Sequence, residues 1–117
     1  MFSSVLFIDD DLNLLRSFKR ALAHDFELVI ADSPEEGLRI MEEQGPFAVI
    51  VSDMKMPTMS GVEVLSRARE THPDTARVLL TGYADQQSAI DAVNKGEVFR
   101  YLTKPCDLER SEEHTSE

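Results

Sequence analysis

Val5-Leu6-Phe7-Ile8-Asp9-Asp10-Asp11 is an apolar run that stops on three acids. The run is too short for a helix and shows no polar alternation. It therefore predicts a strand, Ser4–Ile8, buried on both faces as parallel strands are. A second stretch repeats the design: Phe47-Ala48-Val49-Ile50-Val51-Ser52 runs into Asp53. If the two strands are parallel neighbours, their C-terminal ends lie side by side. Carboxylates far apart in sequence then crowd into one pocket. Charges that close repel unless a cation sits among them. The pattern asks for a metal, and the metal for an anionic ligand.

Outward from these strands the chain alternates. Asp11 can cap a helix whose apolar positions Leu12, Leu15, Phe18 and Leu22 recur at three- and four-residue steps. Residues 26–31 read as a second strand. Ser33-Pro34-Glu35-Glu36 is a capping box with proline at the first helical position, and Leu38 and Met41 supply an inner face. After the strand at 47–52 comes a loop rich in Met, Pro and Gly. A helix carrying Val62, Val64, Leu65 and Ala68 follows and ends by Pro73. Residues 77–81 form a fourth strand. Asp85 can cap a helix with Ala89, Ile90 and Val93 inward and Gly96 at its C-terminal stop. Residues 98–102 form a fifth strand. Strict alternation with short links predicts an α/β fold, a doubly wound five-stranded parallel sheet of flavodoxin-like order 2-1-3-4-5. Right-handed crossovers place helices on both faces. The crevice then lies beyond the ends of strands one and three, where Asp9, Asp10 and Asp53 stand.

The 117 residues fit one domain with one core. A formal net charge of -10 argues against direct nucleic-acid binding by this domain. No apolar stretch reaches the roughly 18 residues of a membrane helix, and the N-terminus lacks the basic segment of a signal peptide. Cys106 is the one cysteine and excludes an internal disulfide. The simplest location is the cytoplasm. A fifth covering helix should begin near Asp107, yet Arg110-Ser111-Glu112-Glu113-His114-Thr115-Ser116-Glu117 has no large apolar residue. The octapeptide matches the translation of a common sequencing adapter, AGA TCG GAA GAG CAC ACG TCT GAA. The expected organisation is a domain over 1–109, incomplete in its fifth helix, and a non-native tail over 110–117.

Asp9, Asp10 and Asp53 offer oxygen donors only, which suits a hard octahedral cation such as Mg²⁺, with Mn²⁺ as a substitute. His24 and His72 lie in or after helices, away from the strand ends. Lys104, after the fifth strand, can offer a point charge to a phosphate oxygen. Thr81, ending the fourth, offers a hydroxyl at the same rim. Such a site stabilises an aspartyl phosphate, with Asp53 as nucleophile. Asp11 reads as a helix cap rather than a ligand. Met54, Met56 and Met59 read as loop packing, and Pro57 and Gly61 as loop shape. Ser52 and Ser60 have no histidine with which to form a hydrolytic triad.

The set Asp9-Asp10, Asp53-Met54-Lys55-Met56-Pro57-Thr58-Met59-Ser60-Gly61, Thr81-Gly82, Tyr101 and Lys104-Pro105 resembles the receiver domain of two-component response regulators. The resemblance runs from Val5 to about Leu108. It implies Asp53 as phosphoacceptor, Asp10 as direct Mg²⁺ ligand, Asp9 acting mainly through water, and the Lys55 backbone carbonyl completing the metal site. It implies Thr81 as switch hydroxyl, Tyr101 as aromatic switch, and Lys104 as phosphate-binding lysine in a cis Lys104-Pro105 bond. Lys55 and Tyr83 would flank the phosphoryl position and tune its hydrolysis. The implied donor is a sensor histidine kinase or a histidine phosphotransfer protein. A homodimer through helix four, strand five and helix five is open to a chain whose fifth helix is complete. Residues 94–106 also resemble receivers fused to HD-type phosphohydrolases, which makes such a domain a candidate output.

A rival reading is enzymatic. Phe7-Ile8-Asp9-Asp10-Asp11 also fits the start of haloacid-dehalogenase-like phosphatases, with Asp9 as nucleophile and Asp11 as acid. That fold needs a later acidic motif and usually a cap insertion, neither of which appears. It also leaves Asp53–Gly61 unexplained.

Overall fold

In the computed structural model, which describes residues 4–95, 98 and 100–103, strands and helices alternate throughout. The elements are β1 (Ser4–Ile8), α1 (Leu12–Leu22), β2 (Glu27–Ala31), α2 (Pro34–Gln44), β3 (Val49–Asp53), α3 (Gly61–Thr71), β4 (Ala76–Thr81), a 3₁₀ turn (Tyr83–Asp85), α4 (Gln86–Asn94) and β5 (Arg100–Thr103). All strand pairs are parallel, and the sheet order is β2-β1-β3-β4-β5, as the alternation predicts. Among the described residues, no helix is long and apolar enough to cross a membrane.

Strand alternation divides the core into two layers. Leu6, Ile8, Ile50 and Leu79 face one way and meet Ile40 and Met41 of α2, Val64, Leu65 and Ala68 of α3, and Ala89 and Ala92 of α4. Val5, Phe7, Val51, Val78 and Leu80 face the other way and meet Leu15 of α1. The rings of Phe7 and Phe18 lie 4.7 Å apart, fixing α1 over β1. The α1 stripe is Leu14, Leu15, Phe18 and Leu22, whereas Leu12, expected within it, is 39% exposed in the first turn. In α4 the innermost residues are Ala89 and Ala92, with Val93 packing at the flank.

Side chains set three of the helix starts. Asp11 accepts from the Leu14 N–H at 3.2 Å, Ser33 from Glu36 at 3.1 Å, and Ser60 from Glu63 at 3.2 Å. Each satisfies a donor that the first turn leaves without an intrahelical partner. Asp85 departs from expectation: it occupies the cap position of α4 but its carboxylate makes no capping bond. Strand boundaries shift for local reasons. The Phe26 N–H bonds back to the Leu22 carbonyl and closes the α1 turn, so β2 starts at Glu27. Phe47 is buried ahead of β3, and its carbonyl accepts the Thr75 hydroxyl at 2.7 Å. At its other end β3 extends through Asp53, so this acid is a strand residue. Gly96, Lys104, Pro105, Cys106, the expected start of a fifth helix and the segment 110–117 lie outside the described residues.

Candidate functional site

The parallel register builds the pocket. Ile8 pairs with Ser52 across β1 and β3, so Asp9 and Asp53 leave adjacent strands at the same level. One carboxylate oxygen from each of Asp9, Asp10 and Asp53 lies within 4.8 Å of the other two. Asp9 and Asp53 are buried, at 1% and 6% exposure, while Asp10 opens to solvent. The residues expected to share a cation from sequence are therefore brought together. Their donors are hard oxygens, and two of the three acids are screened from water. That donor set fits a Mg²⁺-like ion, which retains several waters of its own.

Backbone contacts hold Asp9 and the end of β3 in place. The Asp9 N–H donates to the Ala31 carbonyl at 3.1 Å, and its Oδ1 accepts from the Asp11 N–H at 2.9 Å. This second bond bends the chain from β1 into α1. Beyond Asp53, the Met54 N–H donates to the Leu80 carbonyl at 2.8 Å, prolonging the β3–β4 ladder. The Gly61 N–H then returns to the Met54 carbonyl at 2.9 Å and closes the loop. The start of α3 thus lies directly against Asp53. A Cβ at Gly61 would collide with the Asp53 carbonyl oxygen and come within 2.9 Å of Leu79 Cδ1. Glycine is needed here for close approach, beyond the loop shape that its sequence context suggests.

Thr81 ends β4 fully buried, and its hydroxyl donates to the Gly82 carbonyl at 3.2 Å. Asp53 pairs with Leu80 in the β3–β4 register, so Thr81 is one step beyond the acid's level on the neighbouring strand. Tyr101 lies opposite Leu79 on β5, half-buried and packed against the α4-side core. Lys104 lies outside the described residues. Asp11 stays out of the acidic group and spends its carboxylate on the α1 cap. The phosphatase reading thereby loses the residue it needs as acid.

Three side-chain links around the pocket were not legible in the sequence. Lys55 Nζ meets Asp85 Oδ1 at 3.3 Å. The Thr58 hydroxyl donates to Glu35 Oε2 at 2.6 Å, tying the loop after β3 to the first turn of α2. That bond, with one from its own backbone, holds the Glu35 carboxyl below the usual range. The Gln86 amide donates to the Thr103 hydroxyl at 3.0 Å, tying the start of α4 to β5. Each joins residues brought together only by the strand order.

The family model described as the response regulator receiver domain matches residues 5–115. The hydrogenase transcriptional regulatory protein HoxA of Cupriavidus necator is 32% identical over 103 residues, covering 88% of this chain and 21% of that protein. The chain thus spans about a fifth of that relative's length. A response regulator receiver domain protein from Clostridium thermocellum superposes with a TM-score of 0.83 at 38% identity, over 91% of this chain and 85% of that one. The signal receiver domain of an HD domain-containing protein from Pseudomonas fluorescens Pf-5 does so with a TM-score of 0.81 at 28% identity, covering all of both chains.

Proposed function

The chain belongs to the response regulator receiver domain family, the phosphoacceptor switches of two-component systems, and on that premise we propose that Asp53 is its phosphoacceptor. The observation that carries the assignment is the convergence of Asp9, Asp10 and Asp53 oxygens within 4.8 Å of one another, at the strand end nearest buried Thr81. In the proposed step an Asp53 carboxylate oxygen attacks the phosphorus of a phosphohistidine. The P–O bond forms as the P–N bond breaks, and the leaving imidazole keeps the electron pair and takes a proton from solvent. Asp9, Asp10, Asp53 and the Lys55 carbonyl would hold Mg²⁺, or Mn²⁺ in its place. When bound, the ion neutralises charge gathering on the phosphoryl oxygens.

The chain's own groups do the rest. The backbone of buried Asp53 is held by the β3–β4 ladder and by Gly61 against its carbonyl, which supports a carboxylate kept in place for attack. Thr81 leaves its Gly82 contact to bind a phosphoryl oxygen, and Lys104 binds another. Tyr101, already half-buried, turns into the space Thr81 vacates. This is a shift between two packings, biased by the new charge. The domain is regulatory, and the catalysis proposed for it is limited to its own phosphorylation and dephosphorylation.

The proposed donor is a sensor histidine kinase or a histidine phosphotransfer protein. The proposed domain runs over 1–109 and passes its state to an output domain. The Pseudomonas fluorescens neighbour, from an HD domain-containing protein, supports an HD-type phosphohydrolase there. The name of HoxA supports a transcriptional output instead. Sequencing the uninterrupted gene beyond Glu109 decides between them. For the acceptor itself, acetyl phosphate with Mg²⁺ should add one phosphoryl group to the wild-type chain and none to Asp53→Ala. Undiminished labelling of that variant would sink the assignment.

A further inference from the structure

The ion pairs Arg39–Glu36, Arg39–Glu43 and Arg67–Glu63 each lie within one helix. Lys55–Asp85 instead joins the loop after β3 to the turn before α4. It crosses the C-terminal ends of two adjacent strands, those that end in Asp53 and Thr81. The partners are unequally exposed: the Lys55 side chain is 78% exposed and the Asp85 side chain 22%. Asp85 stands at the cap position of α4, where an aspartate ordinarily bonds to the helix N–H groups, yet it makes no such bond. Its neighbour Gln86 is held to Thr103 on the other side. The turn that begins beside Thr81 is thus pinned to β5 through Gln86 and to the β3 loop through Asp85.

We propose that Asp85 is a positioning residue that governs entry of the phosphodonor by holding the Lys55 ammonium at the rim of the acidic pocket. The inference rests on the Asp53 assignment and extends it. A phosphodonor arrives as an anion at a pocket already lined by three carboxylates. Lys55 is a largely exposed cation two residues from Asp53. Paired with Asp85, its charge is neutralised and its reach restricted. Released, it is a point charge free to meet the donor's oxygens. Asp85 therefore acts through Lys55, lowering the apparent affinity for small anionic donors without touching the transferred group.

The test measures initial rates of Asp53 labelling by acetyl phosphate with Mg²⁺ on the full chain. Asp85→Asn should raise the rate at low donor about threefold to fivefold, the ceiling for an exposed pair. The half-saturating donor concentration should fall while the maximal rate holds. Added KCl should slow this variant more steeply than the wild type. Asp85→Glu should behave as wild type. In a Lys55→Met background, which keeps the backbone carbonyl, Asp85→Asn should change the rate by less than about 1.5-fold, since an exposed pair no longer exists to be broken. An independent readout needs no phosphoryl chemistry: acylation of the Lys55 amine by a limiting active ester, followed by peptide mass spectrometry, should rise in Asp85→Asn. An equal Asp85→Asn effect with and without the Lys55 amine would overturn the proposal, because Asp85 would then act as a bare charge. So would unchanged rate and unchanged Lys55 acylation. Loss of labelling in the wild type itself, with the acylation shift intact, would instead bring down the Asp53 reading, and this proposal with it.

Discussion

Asp53 and Gly61 are separated by a loop yet share one contact, and that contact holds the Asp53 backbone at the end of β3. The α3 start presses against the Asp53 carbonyl because the residue there has no side chain. Any Cβ would have to push back β3, whose position is set by ladders to β1 and β4, or Leu79, which is fully buried. Packed cores yield little to such intrusion, and overpacking costs about 1–3 kcal/mol. Gly61→Ala should therefore lower the unfolding free energy from urea melts by about 1–3 kcal/mol, seen as a lower midpoint. It should also slow Asp53 labelling, because the displaced backbone carries the carboxylate with it. An unchanged midpoint would mean that the loop, rather than the strand, absorbs the methyl. Gly82 is the contrasting case, since nothing lies within 4 Å of a Cβ placed there.

The helix starts separate structural acids and hydroxyls from functional ones. Asp11 and Ser33 each satisfy one first-turn donor, at Leu14 and Glu36. Loss of such a cap costs about 1 kcal/mol. Asp11→Ala and Ser33→Ala should each lower unfolding free energy by about that much, read from denaturant melts. Both should leave labelling of Asp53 by acetyl phosphate intact. Loss of labelling in Asp11→Ala would return that residue to the pocket chemistry. These caps were legible in advance because a cap is a local device written in neighbouring residues. The five strands, their order and the grouping of Asp9, Asp10 and Asp53 were legible too, since apolar runs ending in acid at helix-length intervals leave few parallel arrangements. What could not be read was set by long-range geometry. Asp85 looks like a cap until the sheet order brings Lys55 within reach of it. Phe26 looks like a strand residue until its N–H is seen closing the α1 turn. Lys104, one of the residues that carry the resemblance, lies outside the described residues.

For the molecule as a whole, the pocket sets function against stability. The chain carries a net charge of -10, and the sheet gathers three carboxylates at one end, two of them buried. Like charges that close repel, and a cation bound among them would offset that repulsion. A ligand that binds only the folded state stabilises it by about 2.7 kcal/mol at a hundredfold excess over its Kd. For a domain of this size that corresponds to roughly 10 °C in Tm. Mg²⁺ should produce a saturating rise of that order, whereas KCl at equal ionic strength should give a smaller, unsaturating one by screening alone. Asp10→Asn separates the two contributions, because Asp10 is the solvent-facing member and its amide keeps the side chain's size. Removing its charge relieves repulsion in the metal-free protein, so the Tm measured in EDTA should rise. It also removes a proposed ligand, so the further gain on adding Mg²⁺ should shrink. An Asp10→Asn protein with a lower Tm in EDTA and an undiminished Mg²⁺ response would show that the three acids neither strain the fold nor share the ion.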